Sequence, residues 1–312
     1  MRAVFMGTPE IAAEVLKSLL LSSKHEIIAV VTQPDRPKGR GKLLTKSPVK
    51  LLAEEYGISV LQPEKVKSPD AVAQLKQLAP DIILVAAFGQ ILSKEILELP
   101  KYGCLNVHAS LLPEYRGAAP IQWAIIDGKE KTGVTIMRMD EGLDTGDMIC
   151  REEIEITAGE TGGSLHDKLA AAGGPLLLSA MEQVEAGTAV YEPQKHEAST
   201  YAKMLRKEMG KLDFTYSAEY LERLIRGLNP WPSAYTYWQG KTLKFWSASV
   251  SYDKFEACPC GTLVSVKDGM LWIMTGNGIL RIRELQPDGK RRMTTEEFLR
   301  GYPLVPGLVF GT

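Results

Sequence analysis

At 312 residues, 45% hydrophobic and 24% charged, the chain has a globular composition and more length than one ordinary core needs, so two domains are expected. A formal net charge of -1 excludes a molecule built wholly to bind polyanions. No run of about 18 apolar residues occurs, which excludes a membrane-spanning helix of ordinary length.

In chain order, residues 2–6 read as a buried strand, and Thr8 is placed to cap a helix with Pro9 at its first position and Glu10 in its first turn. This N-terminus reads as a first strand, not a signal peptide. Residues 26–32 form a second buried strand, followed by a long loop, 33–48, rich in Pro, Gly and basic residues. Helical patterns at 49–56 and 68–78 lead to a strong apolar strand at 81–89. Another strand covers 104–108, a short helix 120–126, and strands 132–139 and 147–156 follow, the first with its polar face at Thr135 and Arg138. A long helix, 161–185, carries "AAAGG" inside it. Strand–helix alternation predicts an α/β domain with a doubly wound, mainly parallel sheet over 1–189. Residues 190–207 read as a linker. From 208 to 312, one helix (218–227) and five short strands rich in Val, Trp, Tyr and Thr predict a small C-terminal β-barrel of OB-like type. Trp231, Trp238, Trp246 and Trp272 are offered as stacking platforms or barrel core, with core expected for at least three.

One glycine stands in Gly7-Thr8-Pro9 where a dinucleotide loop has three, and no phosphate-loop pattern occurs, so nicotinamide, flavin and P-loop enzymes are disfavoured. Of the four cysteines, Cys104 and Cys150 lie in apolar strand patterns, and Cys258 and Cys260 lack the second pair a zinc site needs. A reduced, cytoplasmic, metal-free protein, monomeric by default, is the expectation. His25, His166 and His196 read as structural or solvated.

Ligands of open α/β sheets sit beyond the carboxyl ends of the strands. Asn106 and His108 lie at such an end, two apart and so on one face. An amide and an imidazole side by side suit a developing oxyanion and a proton in transit, or else they merely close the strand. The loop 137–148 carries Asp140, Glu141, Asp144 and Asp147, with Gly142 and Gly146 flanking Asp144. A carboxylate brought from it to His108 would fix the imidazole tautomer. The alternative is a solvated acidic turn.

Asn106-Val107-His108, "SLLP" at 110–113, "RGAAPI" at 116–121 and "LDTGDM" at 143–148, in this order, resemble the formyltransferases that use 10-formyltetrahydrofolate, and the likeness runs through essentially the whole chain. Glu114 departs from it, standing where the family often carries a basic or polar residue. The resemblance implies that Asn106 and His108 grip a carbonyl oxygen, that Asp144 orients His108, and that initiator methionyl-tRNA is the acceptor, with no metal. It implies a folate pocket walled by Ser110, Leu111, Leu112 and Pro113 and lined near Phe88, Gly89 and Ile91, with 116–120 shaping the mouth for the aminoacyl end. It also gives a use to the basic loop and to the excess of bases after Met204. Arg36, Lys38, Arg40 and Lys42, with Lys290, Arg291 and Arg292, are the expected tRNA contacts. Relatives acting on glycinamide ribonucleotide or amino sugar nucleotides, a formate-releasing hydrolase, and a non-catalytic RNA-binding protein are the competing readings.

Overall fold

In the computed structural model, residues 1–38 and 43–311 are described. The chain divides into two compact units. The first comprises Met1–Pro120, Lys131–Glu155 and His166–Ala202, and the second Ile121–Glu130, Ile156–Leu165 and the chain from Lys203 on.

The elements begin with β1 (Arg2–Gly7), α1 (Glu10–Ser22), β2 (Glu26–Val31), β3 (Arg36–Lys38) and β4 (Leu43–Thr45). Next come α2 (Pro48–Glu55), β5 (Val60–Leu61), α3 (Pro69–Leu78), β6 (Ile82–Ala86), α4 (Lys94–Leu97), β7 (Cys104–His108) and β8 (Arg116–Gly117). Then follow α5 (Pro120–Ile126), β9 (Lys131–Arg138), β10 (Met148–Glu155), α6 (Gly162–Glu185) and β11 (Tyr201–Ala202).

The principal sheet runs in the order β10-β9-β7-β6-β1-β2-β5. Its strands from β5 to β7 are parallel, and β9 and β10 close one edge antiparallel. The chain works outward from β1 to β2 and β5, then returns to lay β6 and β7 on the other side. The order therefore switches between β1 and β6, the place where such sheets bind ligands. Phe5, Met6, Ile82, Ile83, Leu84 and Leu105 are fully buried, each worth about 1.5–3 kcal/mol of transfer free energy. The glycine pair inside α6 has a steric reason. A Cβ on Gly173 would lie 3.1 Å from Val107 of β7, and one on Gly174 would lie 2.3 Å from the Ser18 side chain of α1.

Four local readings change. Thr8 does not cap α1: the flanking residue is Pro9, with no side-chain cap. The Thr8 hydroxyl instead donates across the sheet end to the Phe88 carbonyl at 3.1 Å. The loop 33–48 contains a hairpin, β3 against β4, with Arg36 opposite Thr45. Thr135 and Arg138, three apart, point to opposite sides of β9, and Thr135 is wholly buried. In the stretch read as linker, β11 pairs with β8, and Gln194 is buried.

The second unit is built on α7 (Ala218–Gly227), β12 (Ala234–Trp238), β13 (Lys241–Ser251), β14 (Leu263–Lys267), β15 (Met270–Met274), β16 (Ile279–Pro287), β17 (Met293–Thr294) and α8 (Thr295–Gly301). Its antiparallel strands run β12-β13-β16-β15-β14, with β17 added on β16. Only Trp272 of the four tryptophans is fully buried; Trp238 and Trp246 are half-buried, and Trp231 is 54% exposed. The core relies instead on Phe245, Leu271, Ile273, Leu280, Ile282 and Phe298. Among the described residues no helix is long and apolar enough to cross a membrane, and no group of three or more His, Cys, Asp or Glu is poised to hold a metal.

Candidate active site

β7 presents Asn106 and His108 on one face. Asn106 pairs with Val85 and Met137, and His108 with Thr135, so both side chains are fixed by a strand braced on each side. They are 8% and 6% exposed. The Asn106 amide has no side-chain hydrogen-bond partner among the described residues.

His108 Nε2 lies 2.9 Å from the Tyr115 carbonyl oxygen. A carbonyl only accepts, so Nε2 carries the proton and the neutral ring leaves its lone pair at Nδ1. Nδ1 faces Asp144 Oδ2 at 3.7 Å, beyond a direct hydrogen bond but within ion-pair reach of a charged ring. The tautomer is therefore fixed by the Tyr115 carbonyl, where the sequence pointed to a carboxylate. Nothing local signals this, because Tyr115 holds a left-handed backbone, φ 57°, that a tyrosine rarely adopts.

Asp144 also has positive φ, 51°. Its Oδ2 accepts from the Gly117 amide at 2.8 Å. Asp140 knots the same loop from within, accepting from Gly142 N at 3.0 Å and Thr145 Oγ1 at 2.6 Å. Gly146 tolerates no side chain, since a Cβ would stand 1.8 Å from the Arg138 carbonyl oxygen. Glu141 is exposed and reaches Lys94 at 3.8 Å. Gln194, missed from sequence, and Arg116, expected only at the mouth for the aminoacyl end, complete the surroundings. Gln194 (6% exposed) and Arg116 (9% exposed) are joined by Arg116 Nε and Nη2 donating to Gln194 Oε1 at 3.0 and 2.7 Å. His196, read as having no partner, lies with Nδ1 3.3 Å from Arg116 Nη1.

The turn at 110–113 is anchored by Thr135, whose hydroxyl donates to Ser110 O at 2.7 Å and accepts from Leu112 N at 3.1 Å. The Ser110 hydroxyl is wholly buried and donates to Glu114 O at 2.6 Å. Leu112 packs with Met137 and Met148, Leu111 covers Gly133, and Pro113 follows a cis peptide. Phe88 is likewise core, beside Val85 and Leu92, and its carbonyl accepts from Thr8 and from Gln33 Nε2 at 3.2 Å. Gly89 takes φ 83°, and Ile91 is 79% exposed. Of these seven, then, Phe88, Ser110 and Leu112 turn their side chains inward, and Ile91 faces outward.

Several of the described basic residues are engaged by acids. Arg36 pairs with Glu64 at 3.0 Å, Lys46 with Glu54 at 2.7 Å and Lys50 with Asp35 at 2.8 Å. The Lys50 ammonium, helped by Gln62, holds the Asp35 carboxyl below its usual range. Lys38 ends β3, while Arg40 and Lys42 lie outside the described residues. In the second unit Lys290, Arg291 and Arg292 are exposed, Arg291 pairing with Glu297 at 3.0 Å and Arg292 with Glu284. Arg292 also sits 5.3 Å from the centre of the Trp246 ring.

The family model described as "Formyl transferase" matches residues 1–181, and "Formyl transferase, C-terminal domain" matches 204–303. The methionyl-tRNA formyltransferase of Agathobacter rectalis is 51% identical, over 99% of this chain and 99% of its own. That of Clostridioides difficile is 48% identical over the full length of both. Among solved structures, the N-formyltransferase from Helicobacter canadensis, in complex with folinic acid and dTDP-3-aminofucose, superposes with TM-score 0.67 at 18% identity, covering 94% of this chain and 100% of that one. HypX from Aquifex aeolicus, in complex with tetrahydrofolic acid, gives TM-score 0.64 at 18% identity, covering 96% of this chain; this chain spans about half of it, 47%. At such identities the two structures establish the fold alone.

Proposed function

The chain belongs to the formyltransferase family, and from that premise we propose that it transfers the formyl group of 10-formyltetrahydrofolate to the α-amine of methionine on initiator methionyl-tRNA. The product is N-formylmethionyl-tRNA for translation initiation. The observation that carries this reading is the end-to-end match, through both units, to relatives named methionyl-tRNA formyltransferase.

Asn106, His108 and Asp144 are the catalytic residues in this reading. The donor set suits a formyl group: an amide N–H without a partner, and a basic ring nitrogen beside a carboxylate. When bound, the folate supplies an electrophilic formyl carbon on N10. Asn106 Nδ2 donates to the formyl oxygen as negative charge gathers there, a contact whose loss typically costs about 3 kcal/mol, or roughly a hundredfold in rate. His108 Nε2–H is committed to Tyr115, so Nδ1 takes the proton of the attacking amine and returns it to N10 as the bond between the formyl carbon and N10 breaks. Asp144 Oδ2, 3.7 Å away, steadies the imidazolium that results. The cis turn at Ser110, Leu111, Leu112 and Pro113 and the backbone at Phe88, Gly89 and Ile91 hold the folate.

Arg36, Lys38, Arg40 and Lys42, and Lys290, Arg291 and Arg292 in a C-terminal tRNA-binding domain (208–312), contact the tRNA phosphates, Arg36, Arg291 and Arg292 giving up their glutamates to do so. The protein acts, in this reading, as a monomer in the cytoplasm, where charged tRNA and folate meet. The test is direct. The protein, 10-formyltetrahydrofolate and charged initiator methionyl-tRNA should yield formylmethionine after mild base release, and uncharged tRNA should yield none. Product with glycinamide ribonucleotide or an amino sugar nucleotide, and none with the tRNA, would overturn the acceptor.

A further inference from the structure

Gln194 lies in a stretch without periodicity, outside every helix and strand, yet it is one of the most completely bonded side chains near His108. Its Nε2 donates to the carbonyl oxygens of Asp144 at 2.9 Å and Gly146 at 2.8 Å, while its Oε1 receives Arg116 Nε and Nη2. Only one orientation of the amide satisfies this set. Turned over, it would set N–H against guanidinium N–H and oxygen against carbonyl oxygen at all four contacts. Arg116 therefore dictates which way Gln194 faces. The guanidinium is 9% exposed, and no described residue offers it a carboxylate. A buried cation in that setting is costly unless its N–H groups are met, and the Gln194 oxygen meets two of them. The next residue, Gly117, donates its backbone N–H to Asp144 Oδ2. One dipeptide thus grips the Asp144 carboxylate directly and its backbone through Gln194. Asp144 needs the grip: its left-handed φ of 51° is disfavoured for a residue with a side chain.

We propose that Gln194, oriented by Arg116, is a positioning residue: it clasps the Asp144 and Gly146 carbonyls so that the Asp144 carboxylate stays beside His108 Nδ1. The inference rests on the catalytic reading of Asp144 given above. Gln194→Glu, combined with Asp144→Asn, separates positioning from folding. A glutamate fills the same volume and still receives Arg116, as a full ion pair, but an ionised carboxylate cannot donate to two carbonyls.

The experiment is a double-mutant cycle in the full chain with Gln194→Glu, Asp144→Asn and the pair, measuring kcat, KM for each substrate and the unfolding midpoint. Gln194→Glu should lower kcat about tenfold to a hundredfold and change each KM less than about threefold, in a chain that still unfolds cooperatively though at a lower midpoint, since two carbonyls lose their donor. With Asp144→Asn already present it should lower kcat less than about threefold. A Gln194→Glu protein as active as the parent, or one losing the same factor in both backgrounds, would overturn the positioning role. A fully active Asp144→Asn protein would instead overturn the catalytic reading beneath it.

Discussion

The pocket around His108 and the basic turn at 290–292 hold their charges in opposite ways. In the pocket, Arg116, His108 and Asp144 are buried or nearly so and are met by backbone groups and an amide, with His108 and Asp144 as the one opposed pair. On the turn, Arg291 and Arg292 are exposed, each facing a glutamate. Exposed pairs contribute about 0–1 kcal/mol and are screened by salt, so a phosphate can displace a glutamate at little cost. Buried groups have no solvent to fall back on. On the proposed reading, atoms that must meet a reacting centre within fractions of an ångström are placed in advance, and atoms that need only meet a charged backbone are left exchangeable.

Breaking the pocket should therefore have the largest effect. His108→Ala is expected to lower kcat by about 10²–10⁴ with tRNA affinity, measured by filter binding, unchanged; a matching loss of affinity would mean the two regions are not separable. The scaffold behind the pocket comes next. Gly174→Ala forces a methyl against Ser18 and should cost about 1–3 kcal/mol, seen as a lower urea midpoint. An unshifted midpoint would show that α6 and α1 have room to spare. On the exchangeable side, Arg291→Ala with Arg292→Ala should reduce the slope of log affinity against log salt by about 2, leaving kcat at saturating tRNA intact. An unchanged slope would remove this turn from the tRNA contacts. The smallest effect concerns reactivity alone. Burial pushes the Cys104 thiol up to about 12 and that of Cys150 up to about 11, so at pH 8 little thiolate exists at either. Native alkylation followed by mass spectrometry should find label on Cys258 and Cys260 long before these two. Early label on Cys104 would mean that β7 opens readily.

Much of the frame was legible because local rules and tertiary packing agree. "CLNVH" is a strand in the bounds read from its apolar positions, and α5 and α7 keep the bounds 120–126 and 218–227 expected of them. Asn106, His108 and Asp144 were legible as candidates, and the structure brings His108 and Asp144 to 3.7 Å. What failed depended on partners far along the chain. Thr8 has a cap's chemistry but finds the Phe88 carbonyl 80 residues away. Thr135 looks like a surface threonine in an alternating strand, yet its hydroxyl is spent on the turn at 110–112. Gln194 carries no periodic signal at all, and its bonds run to residues 48–78 positions back. One omission was avoidable. Thr294 and Glu297 spell a capping box that announces α8, and both of its reciprocal hydrogen bonds are present.

The contacts at Gln194 and Thr200 also bear on time. Arg116 and Gln194 are 78 residues apart, and Tyr115 N meets Thr200 Oγ1 across 85. Closing spans of that length costs chain entropy that a helix or a neighbouring strand pair does not face. Refolding from denaturant should thus restore helical signal before turnover. A chain still leaving the ribosome exposes His108 and Asp144 well before the segment that locks them in register, so activity is the last property this fold acquires.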